Sequence, residues 1–476
     1  MEKKERIRVL GLLKKKRIIE ASKKGGTKPM KKKLISCLLA SVMAMSVLMT
    51  GCGQANNDAP ATTAPSTATS ETKTEAAATT PTEDEVHLKW ALWSAESQPY
   101  WIPIADAYMA ENPNVTIEII DLGSSDYSTS LATQLAGNDS PYDVVAIKDS
   151  ASYVSLIQKG VLKPLDASKL NEAAYGGNLE LFKWSDGNYY TLPLRKDFYC
   201  LYYNKKIFDA AGVPYPTNDI TYEEYDALAR KLTNKTFGSE TYGTHYHTWD
   251  WMVNGLASLA EGKNVLDGNY DYFKPYYEMV LAQQADGVCM DYATIKTSGI
   301  NYASAFGNGD IAMLPMGSWG IGTLIIRIKE GQYPDLTDWS VVAYPHAAGK
   351  ESGNTLGNFV GVSVVNGTKN MEVAEDFARF AGGEEGAKIV ASVGYFPGAL
   401  SAEAVDVIMA VEGMPNDEQA KELFLSQKNI TFETPLGEKC SEVATILKTG
   451  HDYIMTGSMT VDEGIAYMNE EYNKLK

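Results

Sequence analysis

From residue 86 onward the chain alternates between two hydrophobic periods. Val86-His87-Leu88-Lys89-Trp90-Ala91-Leu92-Trp93 sets apolar residues largely at every second position and reads as a strand. Ile102 to Glu111 reads as an amphipathic helix that stops at Asn112-Pro113. Val115 to Ile120 is β-branched and strand-like, Tyr127 to Leu135 is helical with Gly137 and Asn138 at its end, and Asp143 to Ile147 is a short buried strand. Ser152 to Lys159 follows as a helix closed by Gly160. Such an alternation predicts a mostly parallel sheet with helices on its faces. After Lys196 the character changes, and helical segments dominate to about residue 300. Thr221-Tyr222-Glu223-Glu224 and Thr460-Val461-Asp462-Glu463 have the spacing of capping boxes, so each predicts a helix start. The chain has no internal repeat.

The stretch before residue 86 follows a different pattern. Lys31, Lys32 and Lys33 precede seventeen uncharged residues, Leu34 to Thr50, which is short for a spanning helix and has the proportions of an export signal. Residues 1–29 are strongly basic, and a signal that starts at Met30 has ordinary proportions. Met49-Thr50-Gly51-Cys52 resembles a bacterial lipobox, with Met49 where Leu is usual. That resemblance makes 1–51 the signal and Cys52 the lipid attachment point. The alternative is a buried core cysteine, but the following tract, rich in Thr, Ala, Ser and Pro, cannot form a core. Residues 52–85 therefore read as a lipidated cysteine and a disordered tether, whose random-coil reach is on the order of 30 Å.

Charge sharpens this division. Residues 1–51 hold 14 of the 43 Lys and Arg but 3 of the 60 Asp and Glu, so the remaining chain carries a net charge of −28. Such a chain repels nucleic acid and anionic lipid. Cys200, Cys289 and Cys440 are odd in number and widely spaced, which is no disulfide framework.

Six stretches, in order, carry a likeness to one family: AENPNVTIEI (110–119), LAGNDSPYDVVAI (135–147), KGVLKPLD (159–166), DGNYYTLPLRKDFYCLYYNKKIFDAAGVPYPTN (186–218), FGNGDIAMLPMGSW (306–319) and LGNFVGVSVVNGTKN (356–370). Together they resemble the extracellular solute-binding proteins of ABC importers, the group of maltodextrin-binding protein and many sugar-binding lipoproteins. The resemblance implies an α/β, two-lobe, type II periplasmic-binding-protein-like fold with mixed sheets, flanking helices and a ligand cleft between the lobes. It implies lobe 1 from 86–197 and 345–385, and lobe 2 from 198–344 and 386–476. It also implies a monomer with no cofactor and no catalytic residue, which captures a sugar or oligosaccharide and delivers it to the transmembrane subunits of an ABC permease. The place is the outer face of the cytoplasmic membrane, with a Gram-positive surface compatible with the unpaired cysteines.

A sugar needs flat aromatic surfaces for its C–H faces and carboxylates, amides or guanidinium groups for its hydroxyls. Trp93, at the end of the first strand, and Glu96 beside it are one candidate pair, with core packing as the alternative for Trp93. Asp149 follows a strand and either accepts from hydroxyls or caps the next helix. Arg195, near the first lobe crossing, either reaches the cleft or forms an interlobe ion pair. Trp249, Asp250 and Trp251 lie in the densest polar-aromatic cluster, with one of the two tryptophans expected in the core. Trp319 is the leading stacking candidate: the resemblance implies that this position stacks on sugar, and Gly317 and Gly320 let backbone or ligand approach, with core packing as the alternative. Asn358 and Tyr395 lie on loops expected to face the cleft.

Other chemistries fit less well. His245-x-His247 invites a zinc reading, but the remaining histidines are distant in sequence and four-coordinate zinc needs further ligands, so no metal site is assigned. HExxH, GxSxG, Walker A and GxGxxG patterns are absent. The alternatives kept open are a polyamine- or peptide-binding protein and a surface glycoside hydrolase, which needs two facing carboxylates.

Overall fold

The computed structural model describes residues 85–476 apart from 138–139, 176–177, 237–239 and 426–428. Cys52, the signal and the tether therefore lie outside the described residues.

Nine strands form one continuous sheet: β1 (Val86–Leu92), β2 (Val115–Asp121), β3 (Val144–Ile147), β4 (Leu192–Asn204), β5 (Tyr242–Thr244), β6 (Ile311–Gly317), β7 (Trp339–Ala343), β8 (Asn354–Val364) and β9 (Asn429–Phe432). Their order is β2-β1-β3-β8-β4-β6-β5, with β7 also on β4 and β9 also on β8. β1 is parallel to both β2 and β3, as the β/α alternation predicts, whereas β8 runs antiparallel to β3 and β4. β4 belongs to two halves of the sheet. Its start, Leu192–Phe198, pairs with β8, and its end, Tyr199–Asn204, pairs with β6 and β7.

The helices start and stop for local reasons. Helix Trp101–Glu111 buries Trp101, Ile104, Ala105 and Tyr108, the i, i+3, i+4, i+7 set of one face. Asn112 closes it by donating to the Tyr108 carbonyl, and Pro113 forbids continuation. Both capping boxes form. Thr221 accepts from the Glu224 amide while Glu224 accepts from the Thr221 amide, opening helix Tyr222–Leu232. Thr460 and Glu463 do the same for helix Val461–Asn473.

Two hydrophobic cores divide the strands of the sheet between them. One gathers Trp90, Trp101 and Phe377 with β1, β3 and the C-terminal half of β8. The other gathers Tyr202, Phe306 and Met313 with helices as late as Val461–Asn473. The chain passes between them on β4, between Leu194 and Phe198, and returns on β8, between Leu356 and Phe359. It changes core again in the Val390–Phe396 stretch, where Tyr395 still packs with the first core and Phe396 with the second. That is further along the chain than residue 385, where the resemblance ends lobe 1. Helix Glu384–Ser392 begins on the first core because Gly382 lies against Leu192 and Val362, and no side chain would fit between them.

Candidate functional site

The walls of one large cavity come from both cores. Helices Tyr127–Gln134 and Ser150–Gln158 supply one side, and helix Cys440–Met455 the other. Between them Asp250, Trp251, Asn358 and Glu433 form the floor of a space of about 780 Å³. That size lies in the upper part of the range of small-molecule sites. Ser441 Oγ also donates to the Ala151 carbonyl between the facing helices, and Gln158 Nε2 donates to the Glu438 carbonyl in the turn before the second.

Asp149 caps helix Ser150–Gln158, taking the Ser152 amide on Oδ1 at 2.7 Å, and it lines the cavity, where Oδ2 takes the Ser128 hydroxyl at 2.9 Å. Glu433 joins the three strands at the crossing. Its Oε1 accepts from Tyr199 Oη of β4 at 2.6 Å, and its Oε2 from Asn358 Nδ2 of β8 at 3.2 Å, while Glu433 itself follows β9. Burial holds its carboxyl well above the usual range, and the charges of Asp250, Asp149 and Asp197 push the same way. Lys159 and Lys448 are the cationic residues on the cavity wall. Lys448 is already paired with Asp452 at 3.3 Å.

Asp250 is buried, and its carboxyl is pushed up to about 6, mainly by burial. It thus holds its proton more tightly folded than unfolded, and stability falls as pH rises from about 4 to about 6. Asp250→Asn removes that penalty. The expected result is a variant more stable than the parent by roughly 2–3 kcal/mol at pH 7, with the gap closing near pH 4. Thermal denaturation across that range checks it, and a gap independent of pH would show that the carboxyl is not desolvated in the folded state.

The aromatic wall continues from the floor. Trp249 stacks on Trp251 with centroids 5.2 Å apart and planes 24° apart, and both rings are partly exposed. Both pack against the second core with part of each ring exposed, and Trp249 is extended backbone immediately before the 3₁₀ turn Asp250–Met252 that carries Trp251. Trp249 lies 6.1 Å from Trp319, whose ring stands edge-on to Tyr199 at 5.4 Å. Trp319 packs against both cores. The glycines beside it admit the protein's own rings: a Cβ on Gly317 would lie 1.9 Å from the Trp319 ring, and one on Gly320 would lie 2.8 Å from Tyr202 Oη.

The other sequence candidates do not line this cavity. Trp93 is buried against Trp101 and Tyr127, with Lys148 Nζ 5.5 Å above its ring. Glu96 is exposed. Arg195 and Tyr395 are buried together beneath the crossing. The guanidinium lies 5.3 Å from the Tyr395 ring and 5.6 Å from the Tyr100 ring, and it donates to Asp197 at 2.8 Å, Tyr100 Oη at 2.7 Å and Gln98 at 3.1 Å. His245 is fully buried with neither ring nitrogen hydrogen-bonded, and burial pushes it down to about 3. Among the described residues no group of three or more His, Cys, Asp and Glu is placed to hold a metal ion.

Asp149, Asp250, Trp251 and Asn358 therefore meet on one cavity, with Trp249 and Trp319 adjoining it. Glu433, Ser128 and Ser441 were missed. Asn429-Ile430-Thr431-Phe432-Glu433 alternates polar and apolar residues as a strand does, but its partner is not written in that pattern, and only the pairing of β9 with β8 brings Glu433 to the crossing.

Residues 94–388, more than half of the chain, match the family described as bacterial extracellular solute-binding protein. The crystal structure of a sugar transporter from Rhizobium etli, in an open conformation, is 39% identical, with a TM-score of 0.71 over 82% of this chain and 100% of that one. An ABC substrate-binding protein of Listeria monocytogenes, in complex with cycloalternan, is 22% identical, with a TM-score of 0.68 over 82% of this chain and 99% of that one. A Brucella abortus sequence named as a binding protein is 29% identical over 163 residues, 33% of this chain and 38% of that protein's length.

Proposed function

Because the chain belongs to the bacterial extracellular solute-binding protein family and has its two-lobe, type II fold, we propose that it captures a sugar or oligosaccharide for an ABC importer. The observation that carries this reading is the cavity itself. Carboxylates, an amide and hydroxyls stand beside a stacked tryptophan pair, the combination that hydroxyl rims and C–H faces require. The sugar transporter of Rhizobium etli, at 39% identity, supports the same class. Lobe 1 is residues 86–197 and the chain from β8 to about residue 395, and lobe 2 is the residues between and after them, a division supported by the two cores. A ligand that bridges them binds the closed form better, and the permease reads the closed form. The protein binds its ligand without turning it over.

A polyamine is the second reading, favoured by Asp149, Asp250 and Glu433 on one cavity with no lysine or arginine ion-paired to any of them among the described residues. A thermal-shift screen of mono- and oligosaccharides with spermidine alongside separates the two, since only a ligand of the folded state raises Tm. Stabilisation by a neutral sugar, with a smaller radius of gyration in solution scattering, supports the first reading. Stabilisation by spermidine alone overturns it, and release of hydrolysed product would reveal a glycosidase.

The anchor is part of the proposal: Cys52 carries diacylglycerol and tethers a monomer to the outer face of the membrane through residues 52–85. Cys52→Ser should release the protein into the medium or leave it unprocessed. Equal membrane retention, with no lipid mass on the parent, would end that reading.

A further inference from the structure

Behind Asp250, away from the cavity, runs a line of buried polar side chains that ligand contact alone does not account for. Asn254 Nδ2 donates to Asp250 Oδ2 at 3.4 Å. Tyr277 Oη donates to Asn254 Oδ1 at 2.7 Å, and Tyr277 Oη lies 3.1 Å from His451 Nδ1. Asn254, Tyr277 and His451 are at most 1% exposed. They come from three separate helices, Asn254–Glu261, Lys274–Ala285 and Cys440–Met455, so no local turn explains their meeting.

The direction of every bond follows from donor count. A carboxylate can only accept, so Asn254 must present its amide N–H to Asp250 and its carbonyl to Tyr277. The single phenolic hydrogen of Tyr277 is then spent on that carbonyl, and its oxygen can only accept from His451. His451 must therefore carry its proton on Nδ1. Its Nε2 is bare, and it is the atom that finds no partner in the core. Burial pushes the imidazole down to about 3, which keeps it neutral and leaves one hydrogen to give. The line His451, Tyr277, Asn254, Asp250 is thus unidirectional, with each donor pointing toward the cavity carboxylate.

We propose that Tyr277 and His451 are positioning residues for the cleft: they lock the Asn254 amide on Asp250 Oδ2, so that Oδ1 is held toward the cavity as an acceptor for a hydroxyl or other donor of the ligand. The lock itself stands on the hydrogen bonds, and only the ligand hydroxyl rests on the sugar-binding reading. Helix Cys440–Met455 then serves the site twice, lining the cavity with Ser441 and Thr445 and anchoring the carboxylate opposite through His451. The charged groups that bear on Asp250 are Lys448 and Asp452 from that helix and Glu433 from the end of β9. None of them is altered by substitution at 277 or 451.

The test uses the intact chain with carboxyl-labelled aspartate, the Asp250 resonance being assigned by its loss in Asp250→Asn. Tyr277→Phe keeps the ring and removes the hydroxyl. His451→Leu removes the terminal donor. His451→Asn restores an N–H near the Nδ1 position. A hydrogen bond to the charged form lowers a carboxyl pKa, so Tyr277→Phe and His451→Leu should raise the Asp250 titration by about one pH unit, a tenfold change in proton affinity, while His451→Asn stays near the parent. A merely structural role would cost stability in all three without that pattern. Identical Asp250 titrations in parent and Tyr277→Phe, both folded by circular dichroism, overturn the proposal. Calorimetry with maltotriose and mannobiose on the same proteins keeps the two readings apart. A moved titration without sugar binding retains the lock and discards the sugar. Sugar binding with an unmoved titration does the reverse.

Discussion

Replacing Arg195 by methionine is expected to cost about 3–5 kcal/mol, the range for leaving one member of a buried ion pair alone. Arg195 and Asp197 are both buried, at 8% and 1% exposure, and they sit on β4 where the strand passes from one core to the other. Asp197 also takes the Ser318 hydroxyl at 3.1 Å, and that hydroxyl in turn lies 3.3 Å from the Phe198 amide. Burial raises the Asp197 carboxyl and Arg195 opposes it, so without the guanidinium the carboxyl rises further. A raised carboxyl favours the folded state at low pH and loses that advantage as pH climbs. The deficit of Arg195→Met should therefore shrink in acid. Arg195→Met with Asp197→Leu should recover much of the loss, because paired replacement by apolar groups is often neutral. Urea unfolding of the single and double variants decides this. A single-variant cost under about 1 kcal/mol, typical of solvated pairs, would place water at the crossing.

Trp319→Ala should weaken sugar binding roughly 30-fold, since a buried aromatic anchor is worth about 2 kcal/mol on truncation. The ring is partly exposed, touches both cores and continues the Trp249–Trp251 wall. Its packing side fills the space over Gly317 and against Tyr199, so the variant should also lose roughly 3–5 kcal/mol of stability. Trp319→Phe should recover more of the stability than of the affinity, because the smaller ring fills part of the packing space and covers less of the wall. Calorimetry and denaturation of both variants separate the roles. Unchanged affinity in a destabilised Trp319→Ala would assign the ring to packing alone.

The early part of the fold was legible almost residue by residue. The strand read at 86–93 is Val86–Leu92, the helix read at 102–111 is Trp101–Glu111, and the strand read at 143–147 is Val144–Ile147. These elements are short and local, and Pro, Gly or Asn punctuates several of their ends. β4 was harder. Its thirteen residues hold Arg195, Lys196 and Asp197 in mid-strand, where a polar run normally ends an element. The ion pair within the run is what lets two of those charges stay buried. The site was legible by residue type but not by grouping. Trp93, Asp149 and Arg195 each follow or sit in a strand, yet Asp149 alone of the three lines the cavity. Which strand-end side chain turns inward depends on neighbours such as Trp101 and Tyr100, distant from it along the pattern. Glu433 needed the pairing of β9 with β8, a contact across 75 residues that no local periodicity encodes.

The position of β8 has a consequence for the order in which the chain is made. It lies between β3 and β4, so the half-sheet β2-β1-β3 has no link to β4 until residues 354–364 emerge. A nascent chain that ends before Asn354 holds β3 and β4 with nothing to join them, and its apolar faces stay uncovered. The first core closes only when synthesis is nearly done, with Phe432. The strands β2-β1-β3 thus have an uncovered edge until β8 is made, and such an edge calls for an escort against aggregation.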